Sequence, residues 1–262
     1  MLALIAGTGA LPAMVLQALP QRPLVCALDG YAPDIPADIT FRIERLGGFL
    51  NDLRARGVTQ VCMVGGVRRP QIRASAFDFA TLKLVPTIWR NMRKGDDGAL
   101  RGFIALLEQR GLQVIGAHEA APALLPPAGI PTQAQPLPSH IDDARAGVAQ
   151  LALMGAADLG QACVIRQGTV IASEDDAGTD AMLAALGGAA TAGILFKGPK
   201  PNQDRRADLP VIGPRTVQNA AAAGLAGIVI EAGGVMVPDL AGVIQQMDAQ
   251  GLFLWVRPKE AA

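Results

Sequence analysis

Leu2-Ala-Leu-Ile-Ala-Gly-Thr-Gly-Ala-Leu-Pro12 decides how the first half of this chain is read. Leu2–Ala6 is apolar without interruption, as a strand buried on both faces would be. Gly7-Thr8-Gly9 then turns the chain into an amphipathic helical segment, Leu11–Leu19. The pattern repeats: Leu24–Leu28 reads as a second strand, Gly47–Arg56 as a helix with Gly57 as its stop, and Gln60–Val64 as a third strand running into Gly65-Gly-Val-Arg-Arg-Pro70. Strands alternating with helices predict a parallel sheet with crossover helices, an α/β domain of Rossmann-like type. Ligands of such sheets sit beyond the carboxyl ends of the strands, where Gly7–Gly9 and Gly65–Pro70 both fall.

Further on, Phe77–Met92 reads as helical apart from a division at Pro86, and Gly95-Asp-Asp-Gly98 as a break before the helix Ala99–Gln109. A strand follows at Leu112–Ile115. Ala123–Pro138 holds five prolines and no charge, as an interdomain linker would. The expected division is residues 1–130, a Rossmann-like domain, and 131–262, a second α/β domain with a mixed sheet. In that second half a helix spans about 141–157. Cys163–Arg166 and Thr169–Ala172 flank a hairpin turn at Gln167-Gly168, and a helix covers Ala181–Leu186. Strand 193–196, helix 214–223, strand Gly227–Ile230, helix 238–249 and strand Leu252–Val256 complete it.

The 23 basic and 23 acidic residues balance, which removes any global electrostatic case for nucleic acid and leaves anion binding to local clusters. The three cysteines form no CxxC, and Cys26 and Cys62 lie in apolar runs, so all point to a reducing, cytosolic setting. No apolar run approaches the roughly 20 residues of a bilayer span.

Local clusters are dense in one place. Lys197-Gly-Pro-Lys-Pro-Asn-Gln-Asp-Arg-Arg-Ala-Asp-Leu-Pro-Val-Ile-Gly213 leaves a strand with four cations, two carboxylates and three prolines. The prolines stiffen it, the cations suit phosphate oxygens, and a carboxylate suits a divalent metal or an attacking water. Its alternative is a solvated, self-paired connection. Glu174, Asp175, Asp176 and Asp180 form the densest acidic cluster. Four carboxylates repel one another unless a cation intervenes, and Asp180 is the member read as functional, the rest as a solvated turn. Asp96 and Asp97 lie at a helix start, as caps or as ligand contacts. Gly7-Thr8-Gly9 would meet a phosphate or sugar, or serve only as a tight turn. The dinucleotide fingerprint is incomplete, since its third glycine would fall at Pro12, although Asp29 stands near the place of its acidic residue. His118 and His140 stand apart from any nucleophile and read as structural. Hydrolysis by metal-assisted water is therefore favoured over a covalent mechanism.

These residues resemble the LpxI-type UDP-2,3-diacylglucosamine pyrophosphatases of lipid A biosynthesis. The matching stretches run in order: Ile5-Ala-Gly-Thr-Gly-Ala-Leu-Pro12, Val64-Gly-Gly-Val-Arg-Arg-Pro70, Gly95-Asp-Asp97, Leu159-Gly-Gln-Ala162, Gly178-Thr-Asp-Ala-Met182, Lys200-Pro-Asn-Gln-Asp204 with Arg206 and Asp208-Leu-Pro-Val-Ile-Gly213, and Ala223-Gly-Leu-Ala-Gly-Ile228. The resemblance implies Mg²⁺-dependent hydrolysis to UMP and 2,3-diacylglucosamine 1-phosphate, by two domains enclosing the lipid-linked substrate, with water attacking the phosphorus nearer the sugar. It implies Asp204 as the essential carboxylate, Asp208 as its alternate, and Asp180 as a second catalytic contributor that shares the metal with Asp204. Substrate contacts would come from Gly7, Thr8, Gly9, Leu11, Arg69, Asp96, Asp97, Thr179, Lys197, Lys200, Gln203 and Arg206. The chain departs from the family pattern at Ala177, where a glutamate is usual and either Asp176 or Glu174 substitutes or none is needed; at Gly66, where a lysine is common and Arg68 or Arg69 is the replacement; and at Gly234, where a basic residue is often found. For the acyl chains, Phe77, Phe79, Leu82, Leu84, Val85, Ile88 and Trp89 would line an apolar cavity or a membrane-edge groove, with core packing as the alternative, and Arg90, Arg93 and Lys94 would face anionic lipid. A cytoplasmic protein that touches the inner-membrane surface and forms a homodimer is the expectation. The competing classes are a non-catalytic nucleotide-sugar binding protein and an NAD(P)-dependent oxidoreductase.

Overall fold

A computed structural model describes residues 1–67, 76–85, 95–157, 159–200, 204–206 and 209–258, with 95–99 described by backbone alone. The chain divides into two compact units at Pro122/Ala123, and Asp204, Arg205 and Arg206 group with the first.

In the first unit the strands are β1 (Leu2–Ala6), β2 (Leu24–Leu28), β3 (Ile39–Phe41), β4 (Gln60–Val64) and β5 (Gln113–Ile115). They form a wholly parallel sheet in the order β3-β2-β1-β4-β5, as the alternating pattern predicts. Between them run α1 (Leu11–Ala18), α2 (Leu46–Ala55), α3 (Phe79–Leu82), α4 (Gly95–Gln109) and α5 (Ala117–Ala120). Side chains alternate across a strand. Ala3, Ile5, Cys26, Leu28, Val61 and Val114 face one layer, where Leu46, Leu50 and Leu53 of α2 and Ile104 and Leu107 of α4 cover them. Each fully buried leucine there contributes about 2 kcal/mol of transfer free energy. The alternate residues, Leu4, Val25, Cys62 and Val64, are buried too, and α1 and α5 lie against β4. Several features differ from the sequence reading: among the described residues α3 covers only Phe79–Leu82 of the helix read over Phe77–Met92, and the short α5 was not read. The three-residue β3 adds an edge strand, and Gly95-Asp-Asp-Gly98 is the first turn of α4 rather than a break before it. Acidic residues in a first turn favour the helix dipole, which offsets the weak helix propensity of the glycines.

The second unit holds β6 (Ala162–Arg166), β7 (Thr169–Ser173), β8 (Ile194–Lys197), β9 (Gly227–Glu231) and β10 (Phe253–Arg257), ordered β10-β9-β8-β6-β7. β8, β9 and β10 are parallel, and β6 runs antiparallel to both β8 and β7. The sheet is mixed, as expected. Gln167 (φ 52°) and Gly168 (φ 73°) make the hairpin, both in the left-handed region that a two-residue turn of this hand needs. Period-two alternation splits the core cleanly. Cys163, Ile165, Ile194, Phe196, Val229 and Phe253 pack under α6 (Pro138–Ala156). Val164, Leu195, Ile228, Ile230 and Leu254 pack under α7 (Thr179–Ala185), α8 (Pro214–Ala222) and α9 (Leu240–Ala249). Gly147 lets α6 approach closely, since a Cβ there would stand 2.5 Å from the Phe196 ring.

The proline-rich stretch 123–138 is docked along the second unit. Gly129 exchanges backbone hydrogen bonds with Val256, Thr132 Oγ1 accepts from Leu254 N at 2.9 Å, and Gln133 N donates to Asp248. No described helix is long and apolar enough to cross a membrane.

Candidate active site

At the carboxyl edge of the first sheet, strand order reverses between β1 and β4, which is where ligands of doubly wound sheets bind. The two loops there are tied together. Gly7 N donates to Val64 O (2.8 Å), Thr8 N donates to Gly66 O (2.9 Å), and Gly66 N returns a bond to Thr8 O (2.9 Å). The Thr8 hydroxyl also donates to Gly66 O. A Cβ on Gly7 would lie 2.5 Å from Gly66 O, so only glycine admits this crossing. The amides of Gly7 and Thr8 are thereby engaged within the fold. Gly9, with φ 95°, is exposed, and Leu11 opens α1, whose N-cap makes no side-chain bond.

Also in this unit lies the charged core of the 204–206 segment. Arg206 grips Asp204 as a fork: Nε donates to Oδ1 (2.9 Å), Nη2 to Oδ2 (2.8 Å), and the Arg206 backbone N also donates to Oδ1 (3.1 Å). The second arm of the guanidinium, Nη1, donates to Glu108 near the end of α4. Hydrogen bonding from Arg206 holds the Asp204 carboxyl below its usual range, against the desolvation of partial burial, with Arg101 adding a smaller attraction. The Arg206 pKa is raised by the same pair. Asp204 is therefore ionised at neutral pH, with 18% of its side chain exposed.

Just beyond β5 stands His118. Its ring lies against Gly116, a residue that the backbone carbonyl of Arg205 also approaches. Burial lowers its pKa, with Arg205 adding to the effect and Glu119 opposing it, and its Nδ1 is buried without a hydrogen-bond partner among the described residues. The sequence offered no neighbour for this histidine, because 204–206 is far away along the chain. His140 is structural, as read: Nδ1 accepts from Leu137 N, and the ring packs on Phe253.

The carboxyl edge of the second sheet carries its own polar set. Antiparallel pairing brings Gln161 (before β6), Glu174 (after β7) and Lys197 (end of β8) to one end. Lys197 is buried, and its Nζ donates to Thr179 Oγ1 at 2.9 Å. Thr179 Oγ1 donates in turn to Glu174 Oε1 (2.7 Å), and Glu174 Oε2 accepts from Gln161 N (2.6 Å). The strand end at 197 and the acidic turn before α7 thus converge. Within that turn Asp175 accepts from Ala177 N, and Asp175 and Asp176 are exposed. Asp180 faces α8: Oδ1 accepts from Asn219 Nδ2 (2.7 Å), and Oδ2 meets Arg215 Nε (2.9 Å). Lys200 is half-buried.

Arg69, Gln203 and Asp208 lie outside the described residues, as do Ile88, Trp89, Arg90, Arg93 and Lys94 and the side chains of Asp96 and Asp97. Among the other apolar residues singled out, Leu84 is buried, while Phe79 (76%) and Leu82 (51%) are exposed, with Lys83 Nζ 4.7 Å from the Phe79 ring centre.

The residues fit a hard divalent cation at single positions rather than as a cage. Among the described residues no three His, Cys, Asp or Glu side chains gather as metal ligands. Asp204 accepts three bonds from described residues, and a carboxylate has about four acceptor directions, so among the described residues one on Oδ2 has no donor. Magnesium commonly takes one or two carboxylates and completes its shell with phosphate oxygens and water.

Residues 1–124 match the model of the LpxI N-terminal domain, and residues 127–255 match that of the LpxI C-terminal domain. The chain is 39% identical, over 99% of its own length and 98% of the relative's, to UDP-2,3-diacylglucosamine pyrophosphatase LpxI of Caulobacter vibrioides.

Proposed function

The chain belongs to the LpxI family, and on that premise we propose that it hydrolyses the pyrophosphate bond of UDP-2,3-diacylglucosamine in lipid A synthesis. Water adds to one phosphorus, the bridging oxygen leaves with the other, and the products are UMP and 2,3-diacylglucosamine 1-phosphate. The observation that carries this reading is the end-to-end likeness to the Caulobacter vibrioides pyrophosphatase, which spans both units.

The chemistry of the residues supports it. A pyrophosphate diester is doubly negative and repels an oxygen nucleophile. Lys197 and Lys200 would neutralise phosphate oxygens, and Arg206 holds Asp204 ionised, ready to accept a proton from water or to orient it. Asp204 and Asp180, each taken by itself, are the carboxylates proposed as Mg²⁺ ligands; the ion would screen phosphate charge and lower the pKa of water. Asp208, Arg69 and Gln203 complete the set by family likeness. Exposed Phe79 and Leu82 beside Lys83 suit contact with an acyl chain or an anionic bilayer surface, consistent with a peripheral role at the cytoplasmic face of the inner membrane.

Incubation with UDP-2,3-diacylglucosamine and Mg²⁺ should release UMP, and EDTA should abolish that release. Absence of UMP would leave a nucleotide-sugar binding protein as the better reading. In ¹⁸O-labelled water the label should enter the sugar phosphate. Label in UMP would place the attack on the other phosphorus.

A further inference from the structure

We propose that Glu174 is a positioning residue for this reaction. Through the Thr179 hydroxyl it anchors the ammonium of Lys197 at the carboxyl edge of the second sheet, so that the lysine meets a substrate phosphate as a held cation rather than a mobile one. This rests on the pyrophosphatase reading above.

The polarity of the chain of bonds is fixed by chemistry. A lysine ammonium only donates, so Thr179 Oγ1 must accept from Lys197 Nζ at 2.9 Å. The single hydroxyl proton is then left for Glu174 Oε1, 2.7 Å away, and a carboxylate only accepts. Charge therefore runs in one sense, from ammonium through hydroxyl to carboxylate. The far oxygen of Glu174 is held by the backbone N of Gln161, and Gly198 N donates to Gln161 O, so both ends of the relay are tied to the same strand-edge backbone. Lys197 is 9% exposed and Thr179 8%. Burying an ammonium is costly without a bonded counter-charge, and Glu174 supplies one through the Thr179 hydroxyl. The other charged groups at this edge are Glu231, ending β9 beside β8, and Arg257, ending β10.

The consequence is chemical. A lysine on a free four-carbon stem must lose rotamer freedom each time it meets a phosphate, whereas one already held loses little. Thr179, which the sequence suggested as a substrate contact, has its only proton committed to Glu174 and acts through the lysine instead.

A double-mutant cycle on the whole protein tests the relay without reference to activity. Urea unfolding would compare wild type, Glu174→Gln, Lys197→Met and the double variant. Glu174→Gln should shift the unfolding equilibrium about tenfold or more when Lys197 is present, the size of one charge-assisted hydrogen bond. With methionine at 197 that shift should shrink to about threefold or less. Additive effects would overturn the relay. The catalytic arm measures kcat/KM for UMP release: Thr179→Val should lose about tenfold and Thr179→Ser, which restores the hydroxyl, should recover most of it. Equal values for the valine and serine variants, or wild-type activity for valine, would also overturn it. Should Glu174→Gln fail to fold, the threonine pair decides. If the wild type itself releases no UMP, the functional reading has failed, and the unfolding cycle still judges the relay.

Discussion

Exchanging Asp204 for asparagine alters one charge and almost no volume, so it separates what the carboxylate does for the fold from what it does for the chemistry. In the fold, Asp204 accepts from Arg206 Nε, Nη2 and backbone N at 2.8–3.1 Å. Asparagine keeps one acceptor oxygen and turns an NH₂ toward a guanidinium that can only donate. One charge-assisted bond is lost and a donor faces a donor. That would be worth about 1.5–3 kcal/mol if fully buried. Arg206 is 34% exposed and retains Glu108, so solvent screening brings the expected stability loss nearer 1 kcal/mol. For catalysis the expected loss is far larger: about 10²–10³ in kcat, or roughly 2.7–4 kcal/mol, by analogy with removal of one preorganised transition-state contact. The assay pairs UMP release with a thermal melt. A variant that melts a few degrees early but keeps kcat within about threefold of wild type would make Asp204 a structural ion-pair member and remove it from the mechanism. The pH dependence has a definite sign. The folded pKa of Asp204 is depressed below the ordinary 3.8, so its stabilising contribution is fully present above the unfolded pKa and disappears as pH falls through the lower folded value. Any activity loss between pH 5 and 7 therefore belongs to another group.

Gly7→Ala should destabilise by about 1–3 kcal/mol, seen as a lower urea midpoint, because its methyl would press on backbone at Gly66 rather than on a side chain able to rotate away. A normal midpoint would mean that the two loops move apart easily. Burial pushes the thiols of Cys26, Cys62 and Cys163 up to about 12. Ellman's reagent at pH 8 should consequently titrate none in the native protein and three after unfolding, and rapid native labelling would show that one is accessible. Phe79→Ser with Leu82→Ser should weaken sedimentation with anionic liposomes while leaving the melting temperature within a few degrees, since both side chains are exposed. Unchanged sedimentation would remove this patch from any membrane role.

How much of this was legible in the sequence depended on whether the signal was local. Leu2–Ala6, Leu24–Leu28 and Gln60–Val64 were read to the residue, because strands covered on both faces leave unbroken apolar runs. Gln167-Gly168 was legible because a two-residue hairpin demands positive φ at both positions. Ile39–Phe41 left no such trace: three residues with one exposed are too few for periodicity to register. The stretch 123–138 starts at the boundary between the units, where its composition put a linker, yet it is docked rather than free. Prolines stiffen a chain whether it hangs between units or lies along one, and only the bonds from Leu254 and Gln133 distinguish the cases.

The polar sites divide along the same line, and the division bears on how far family motifs can be trusted. That Asp204 and Arg206 belong together could be read from their spacing, but Arg206 also holds Glu108, whose partnership no local pattern announces. Two acidic residues, Glu174 and Asp176, looked interchangeable as substitutes for a glutamate absent at Ala177. Antiparallel pairing of β6 and β7 sets Glu174 at the strand end that carries Lys197, while Asp176 falls on the exposed outer part of the turn. A carboxylate three residues from its usual place in a motif can thus reach the Thr179 hydroxyl that ends in the same lysine. What a site requires is an acceptor at a point in space, and the register of a sheet, rather than the order of a motif, decides which residue supplies it.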